Sequence, residues 1–247
     1  MLLAIDIGNT SIKFGIFDGE SIVSKFSVAT SASVTRDQLR KAIGSNMPGA
    51  CSNAIICSVV PEINAVIREF LSRDLDIESV FVINDIDFGL EFNYDPLSAV
   101  GTDRLVNAFA AVEKYGVLII VCSFGTALTI DVVNKDREVP GGVISPGLTM
   151  LAAALHDNTS KLPKVAIEKP PSVIQNTTAQ SMQSGIVYGY IGLVEGLIDR
   201  VKKEIASEPK VIATGGFAGL ISQNSTIIDV VDENLLLDGL QILHSRI

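Results

Sequence analysis

The sequence predicts an α/β protein made of two copies of one unit, each with a mixed sheet. Three observations carry this. The chain opens on an apolar strand, Leu2–Asp6, that ends on an acid, turns at Gly8 and resumes as a second strand. The same opening returns about half a chain later, as Val117–Cys122, then Ser123-Phe124-Gly125-Thr126, then Ala127–Val133. Both openings lead to a further strand and then to helices, an order that reads as duplication. With 247 residues, each copy is long enough for a modest domain. The boundary is expected at Tyr115–Gly116, giving lobes 1–115 and 116–247.

Taken in order, the first copy has strands near Leu2–Asp6, Ile12–Phe17 and Ser21–Val28, with Asp18-Gly19 as the hairpin turn between the last two. A helix is expected near Arg36–Ile43, then a strand at Ala54–Val59. Pro61 sits where prolines open helices, ahead of Glu62–Leu71. Val80–Ile83 reads as a strand, and a helix from Asp103 to Tyr115 stops at Gly116. After its two opening strands the second copy has a polar turn, Asn134–Arg137, and one strand over Glu138–Ile144. Helices near Leu148–Leu155 and Ala179–Ile205 follow, then a strand Lys210–Ala213 running into Thr214-Gly215-Gly216. A strand at Ile227–Val230 and a helix at Glu233–Ser245 close the chain.

Composition narrows the function. Nineteen basic against 28 acidic residues give a net charge of −9, with no basic stripe, which argues against a nucleic-acid groove. Neither a basic amphipathic segment nor a membrane-length apolar run is present, so no membrane association is expected. The chain starts directly on a core strand, without room for a signal peptide, and is read as cytoplasmic. Cys51, Cys57 and Cys122 have no metal-like spacing, and Cys57 and Cys122 read as small buried hydrophobes. His156 and His244 receive no role, and Asp229–Asp238 reads as a solvated helix face.

The chemistry is read from the loops. Gly8 lets backbone approach a ligand that a Cβ would repel. Successive N–H groups in such a turn bind anions, and Asp6 could hold a metal bridging phosphates. Asn9, Thr10, Ser11 and Lys13 add donors. A plain hairpin turn is the competing reading, since Gly-Asn between strands is common in hairpins. Tyr94-Asp95-Pro96 precedes Gly101-Thr102-Asp103-Arg104 at a helix start. Asp103 there is either a cap or a base, and Arg104 either a surface residue or a bidentate anion binder. Gly141 to Gly147 is glycine-rich for a mere connection. Thr178, Ser181 and Ser184-Gly185 open a long helix, where N–H groups attract anions.

These segments together resemble type III pantothenate kinase: Asp6-Ile7-Gly8-Asn9-Thr10, Gly101-Thr102-Asp103-Arg104, Gly141 to Gly147 and Ser181-Met182-Gln183-Ser184-Gly185. Cys57-Ser58-Val59-Val60-Pro61, Leu162-Pro163 and Ala213-Thr214-Gly215-Gly216 are similar too, in order over nearly the whole chain. The resemblance implies two ribonuclease-H-like lobes of the actin-like ATPase and sugar kinase superfamily. It also implies a homodimer that phosphorylates pantothenate with ATP, Mg²⁺ and a monovalent cation such as K⁺ or NH₄⁺, the first step toward coenzyme A. Carried over by motif, Asp6, Ile7, Gly8, Asn9, Thr10, Ser11, Ile12 and Lys13 would hold ATP phosphates, with Asp6 at the magnesium. Gly125 and Thr126 would also contact ATP. Asp103 would be the base for the pantothenate hydroxyl. Tyr94, Gly101, Thr102 and Arg104 would bind pantothenate, with Thr178 reaching it near the dimer interface.

One position departs from the family. Its second-lobe loop begins with Asp, in a pattern Asp-x-Gly-Thr-Ala linked to the monovalent cation, whereas this chain has Ser123. A hydroxyl is a weaker ligand for a hard cation than a carboxylate. Dependence on K⁺ is therefore expected to be weak or absent. Ser123 also keeps open a catalytically weak relative that binds nucleotide or pantothenate in a regulatory role. A kinase for another small acceptor is the third reading.

Overall fold

The structure is a computed structural model and describes residues 1–44 and 46–247. Its chain divides into two compact units. One comprises Met1–Gly116, Asp136–Pro140 and Asn234–Ile247; the other comprises Val117–Lys135 and Gly141–Glu233.

The first unit is organised around β1 (Leu2–Ile7), a strand apolar enough to be buried on both faces. β2 (Ser11–Asp18) runs antiparallel to β1, and β3 (Ser21–Ala29) antiparallel to β2 through a turn with Gly19 at φ 60°. On the other side of β1 lie β4 (Asn53–Ser58) and β5 (Glu78–Phe81), both parallel, giving the order β3-β2-β1-β4-β5. Parallel neighbours need crossovers. Here α1 (Arg36–Gly44) and α2 (Pro61–Asp74) provide them, α2 starting on Pro61 as expected. Alternation along the strands separates two cores. Leu3, Ile5 and Ile7 pack with Leu39 and Ile43 of α1 and with Ile63, Ile67 and Phe70 of α2. The opposite face, with Ala4, Ile55 and Cys57, packs α3 (Thr102–Tyr115) and α7 (Leu235–His244).

A single cut at residue 115 therefore does not describe the chain. Leu237, Leu240 and Leu243 of α7 are buried among first-unit residues, which draws the C-terminal segment back to the unit that opens the chain. Gly239 allows that approach: a Cβ there would come within 2.6 Å of the Ala110 Cβ and 3.0 Å of a Val106 methyl. Overpacking costs about 1–3 kcal/mol, more than the fraction of ~1 kcal/mol that helix propensity returns. Gly239→Val is thus expected to lower the thermal midpoint by several degrees, at about 2–4 °C per kcal/mol in a chain of this size, with the fold retained. Thermal unfolding followed by circular dichroism checks this.

The second unit repeats the plan. β7 (Ile119–Phe124) pairs antiparallel with β8 (Ala127–Val133), and β8 antiparallel with β10 (Gly141–Pro146). β11 (Lys210–Thr214) is parallel to β7 and β12 (Val230–Val231) parallel to β11, so the order is β10-β8-β7-β11-β12. One face of this sheet packs Leu148 of α4 (Leu148–Asp157), Met182 to Ile198 of α5 (Thr178–Glu204) and Ala218 and Ile221 of α6 (Ala218–Ser222).

The single strand expected over Glu138–Ile144 is two strands. Pro140 lacks a ladder donor, and β9 (Glu138–Val139) leaves to pair with β6 (Glu91–Phe92) in the first unit before β10 begins. The strand expected from Val117 starts at Ile119, after Leu118 at φ 58°. β6, α6 and a short 3-10 turn at Leu97–Ala99 are too brief to leave a periodic signal.

Candidate active site

In the first unit the site grows from the carboxyl end of β1. Asp6 shares the sheet face of Ala4 and lies in register with Lys13 on β2 and Cys57 on β4. Its carboxylate is buried, and Lys13 Nζ donates to Oδ2 at 3.2 Å. Burial pushes the Asp6 carboxyl above its ordinary range, and the neighbouring ammonium only partly offsets this. Beyond β1, Asn9 and Thr10 are exposed. The Gly8 N–H closes the turn onto the Ser11 carbonyl at 3.1 Å, and the Gly8 carbonyl accepts from Thr30 Oγ1 at 2.6 Å. The Gly8 amide is therefore spent within the loop, and any anion would rely on the residues after it. Ile7 and Ile12 are fully buried, so neither side chain can meet a ligand.

The second carboxylate comes from α3. Gly101 is its N-cap and supplies no side-chain bond. Asp103 stands in the first turn, where anions are favoured by the helix dipole, and its Oδ1 accepts from the Arg104 N–H at 2.9 Å. The carboxylate folds back over Gly101, and any Cβ at that position would overlap Oδ1. Glycine is needed there for the acid to lie as it does. Arg104 donates to Tyr94 Oη at 2.7 Å, with its guanidinium 4.9 Å from the ring centroid, so Tyr94 both orients and stacks the cation. Asn84 braces the approach, its Nδ2 donating to the Leu97 and Val100 carbonyls at 2.8 Å each.

The charges of both carboxylates act on one buried residue. The Cys57 thiol, fully buried, is pushed well up by desolvation first and then by the charges of both Asp6 and Asp103. Asp6 and Asp103, far apart in sequence, are thus within electrostatic reach of the same sulfur on the same sheet face. Thr102, expected to touch substrate, instead turns its hydroxyl to Cys57 Sγ at 3.2 Å and to the Ser58 carbonyl at 3.3 Å. Cys57 and Asn84 were not readable as site residues. Cys57 sits in an apolar run and Asn84 in a turn-like one, and their partners are long-range.

The second unit carries the equivalent loop. Ser123 lies near the end of β7, in register with Thr129 and Thr214, and the Gly125 N–H closes onto the Ala127 carbonyl at 3.1 Å. Thr126 and Gly125 are exposed, and the Thr126 carbonyl accepts from the Gly147 N–H at 3.2 Å. A Cβ on Gly147 would strike that carbonyl, and one on Gly215, at φ 94°, would lie 2.6 Å from the Phe124 carbonyl. Glycines after β10 and β11 are thus needed to pack around this loop. Register puts the buried Asp131 on the face of Ser123, a diagonal step away. Thr178 is exposed in the first turn of α5, whose cap is Thr177, accepting from the Gln180 N–H.

Two copies of one five-stranded order, each with a glycine turn after the central strand, define a duplicated α/β class of fold. A putative 2-dehydro-3-deoxygalactonokinase of Sinorhizobium meliloti is similar at 16% identity and a TM-score of 0.58, over 100% of this chain and 97% of that one. A Baf-family protein of Campylobacter jejuni shares this fold at 17% identity and a TM-score of 0.64, over 99% of this chain and 98% of that one. Within the class, the chain belongs to the type III pantothenate kinases. That family's model matches residues 2–200. The type III pantothenate kinase of Geotalea daltonii is 45% identical, over 100% of this chain and 98% of the relative. That of Halalkalibacterium halodurans is 40% identical, over 100% and 99%.

Proposed function

We propose that this protein transfers the γ-phosphoryl group of ATP to the primary hydroxyl of pantothenate, yielding 4′-phosphopantothenate for coenzyme A synthesis in the cytoplasm. The observation that carries this reading is that Cys57, the register neighbour of Asp6, also bonds Thr102, the residue before Asp103, together with family membership. Phosphoryl transfer needs positioning and charge neutralisation more than covalent chemistry from the protein.

Asp103 takes the proton from the pantothenate hydroxyl. Arg104, oriented by Tyr94, binds the pantothenate carboxylate. Gly101 and Thr178 contribute to the same acceptor. Asn9, Thr10, Ser11 and Lys13 hold the ATP phosphates, and Gly125 and Thr126 contact ATP. Asp6 fits a magnesium ligand: it is one buried carboxylate beside an exposed loop, and Mg²⁺ binds through one or two carboxylates plus substrate phosphates. Bound there, the ion would neutralise charge on the transferring group. A homodimer is part of this reading. Among the described residues, no helix is long and apolar enough to cross a membrane.

The test is ADP release by purified protein with ATP and Mg²⁺, with and without pantothenate. Release that needs pantothenate is expected; release indifferent to it excludes this acceptor, and none at all favours the regulatory binder. Ser123 is the residue on which that second reading rests. Asp131 shares its face a diagonal step along β8, and does not occupy position 123 itself. Turnover is therefore expected to change less than about twofold between K⁺ and Na⁺, and Ser123→Asp to introduce a K⁺ response. A steep K⁺ activation of the unmodified protein contradicts this.

A further inference from the structure

The hydroxyl of Thr102 forms a directed bridge that neither substrate contact nor helix capping explains. It has one proton to give, and the Ser58 carbonyl takes it at 3.3 Å. Its oxygen therefore accepts from the Cys57 thiol at 3.2 Å. Cys57 is fully buried and is the register neighbour of Asp6. The chain thiol to hydroxyl to carbonyl thus ties the first turn of α3 to the last two residues of β4, one strand away from Asp6. Gly101, the N-cap, offers no side chain for this purpose, and Asp103 follows directly on Thr102.

We propose that Thr102 and Cys57 are positioning residues for Asp103: their bridge sets where the base stands relative to Asp6. The proposal rests on Asp103 being the base, and it takes Thr102 out of substrate contact. Backbone bonds alone would let the first turn of α3 shift, and misplacement by about 1 Å can reduce a rate by up to ~10²-fold.

The test compares Thr102→Val, Thr102→Ser and Cys57→Ala, with Thr102→Val made both in the unmodified enzyme and in Asp103→Asn. Thr102→Val keeps the shape and removes the hydroxyl. It is expected to lower kcat by roughly tenfold or more while KM for pantothenate stays within about twofold. Thr102→Ser recovers most of the lost rate, and Cys57→Ala falls in the direction of Thr102→Val. In the Asp103→Asn background, Thr102→Val has little further effect, because the group it positions can no longer accept a proton. An equal loss in both backgrounds overturns the proposal. So does a rise in KM with kcat unchanged, which is the mark of direct substrate contact. A lower thermal midpoint with unchanged kcat makes the bridge merely structural and overturns it as well. Should Thr102→Val fail to fold, Cys57→Ala carries the same comparison. If Asp103→Asn alone keeps full turnover, the base assignment fails first, and that single variant shows it.

Discussion

Asp103→Asn is expected to lower kcat by about 10²–10⁴-fold, the range for loss of a positioned general base. The amide keeps an Oδ1 that accepts from the Arg104 N–H, the bond the carboxylate makes now at 2.9 Å. It also keeps the size that fits over Gly101. The start of α3 should therefore survive, with the thermal midpoint near that of the unmodified protein. Arg104 remains held by Tyr94, so KM for pantothenate should change only a few-fold. What disappears is the capacity to take a proton. Steady-state kinetics with a folding control separates the readings. A fall in kcat at near-constant KM assigns a base, whereas retained turnover leaves Asp103 as a first-turn acid and nothing more. A regulatory binder would show little turnover to lose in the first place.

The duplication was legible because it is written in short-range order: strand, glycine turn, strand, twice. Apolar runs at β1, β7 and β11 and the turn at Asp18-Gly19 announce themselves without tertiary context. The destination of α7 did not. Leu235–His244 is apolar on a helical period whichever unit it serves, and only packing against Ala4, Ile55 and α3 assigns it. The splitting of Glu138–Ile144 was readable in principle, since Pro140 cannot donate to a ladder.

Within the site, residue types were easier to read than directions. Asp6, Asp103, Arg104 and Tyr94 are candidates that a motif reveals, and the structure packs α3, which carries Asp103, on the sheet face that Asp6 shares. Side-chain direction depends on partners elsewhere in the chain. Thr102 points inward because a thiol and a carbonyl await it on β4. Ile7 and Ile12 belong to the core because alternation turns them away from Asp6 and Lys13. Asp131 could not be oriented from the sequence, and the register of β7 with β8 places it on the face of Ser123.

Asp6→Asn should separate stability from activity. Burial dominates the environment of this carboxylate and holds its pKa above the ordinary 3.8, against the pull of Lys13. A raised acid means that the folded protein binds the proton more tightly than the unfolded chain does. The stability this confers is complete below about pH 3.8 and is lost as pH rises through the folded value, so burial of this acid disfavours the folded state more at neutral pH than in acid. An isosteric amide removes that penalty. The variant is expected to melt higher than the unmodified protein at pH 7, the difference closing as both are acidified. Its kinase activity should fall by about 10²-fold or more, since metal-assisted charge stabilisation is worth several kcal/mol at 1.36 kcal/mol per tenfold. Magnesium with ATP should raise the midpoint of the unmodified protein more than that of the variant, because ligands stabilise only the state that binds them. Differential scanning fluorimetry across pH, with and without the nucleotide, reads all of this. A variant that melts lower at pH 7 refutes the burial argument, and one that still turns over at the original rate removes Asp6 from the phosphate site.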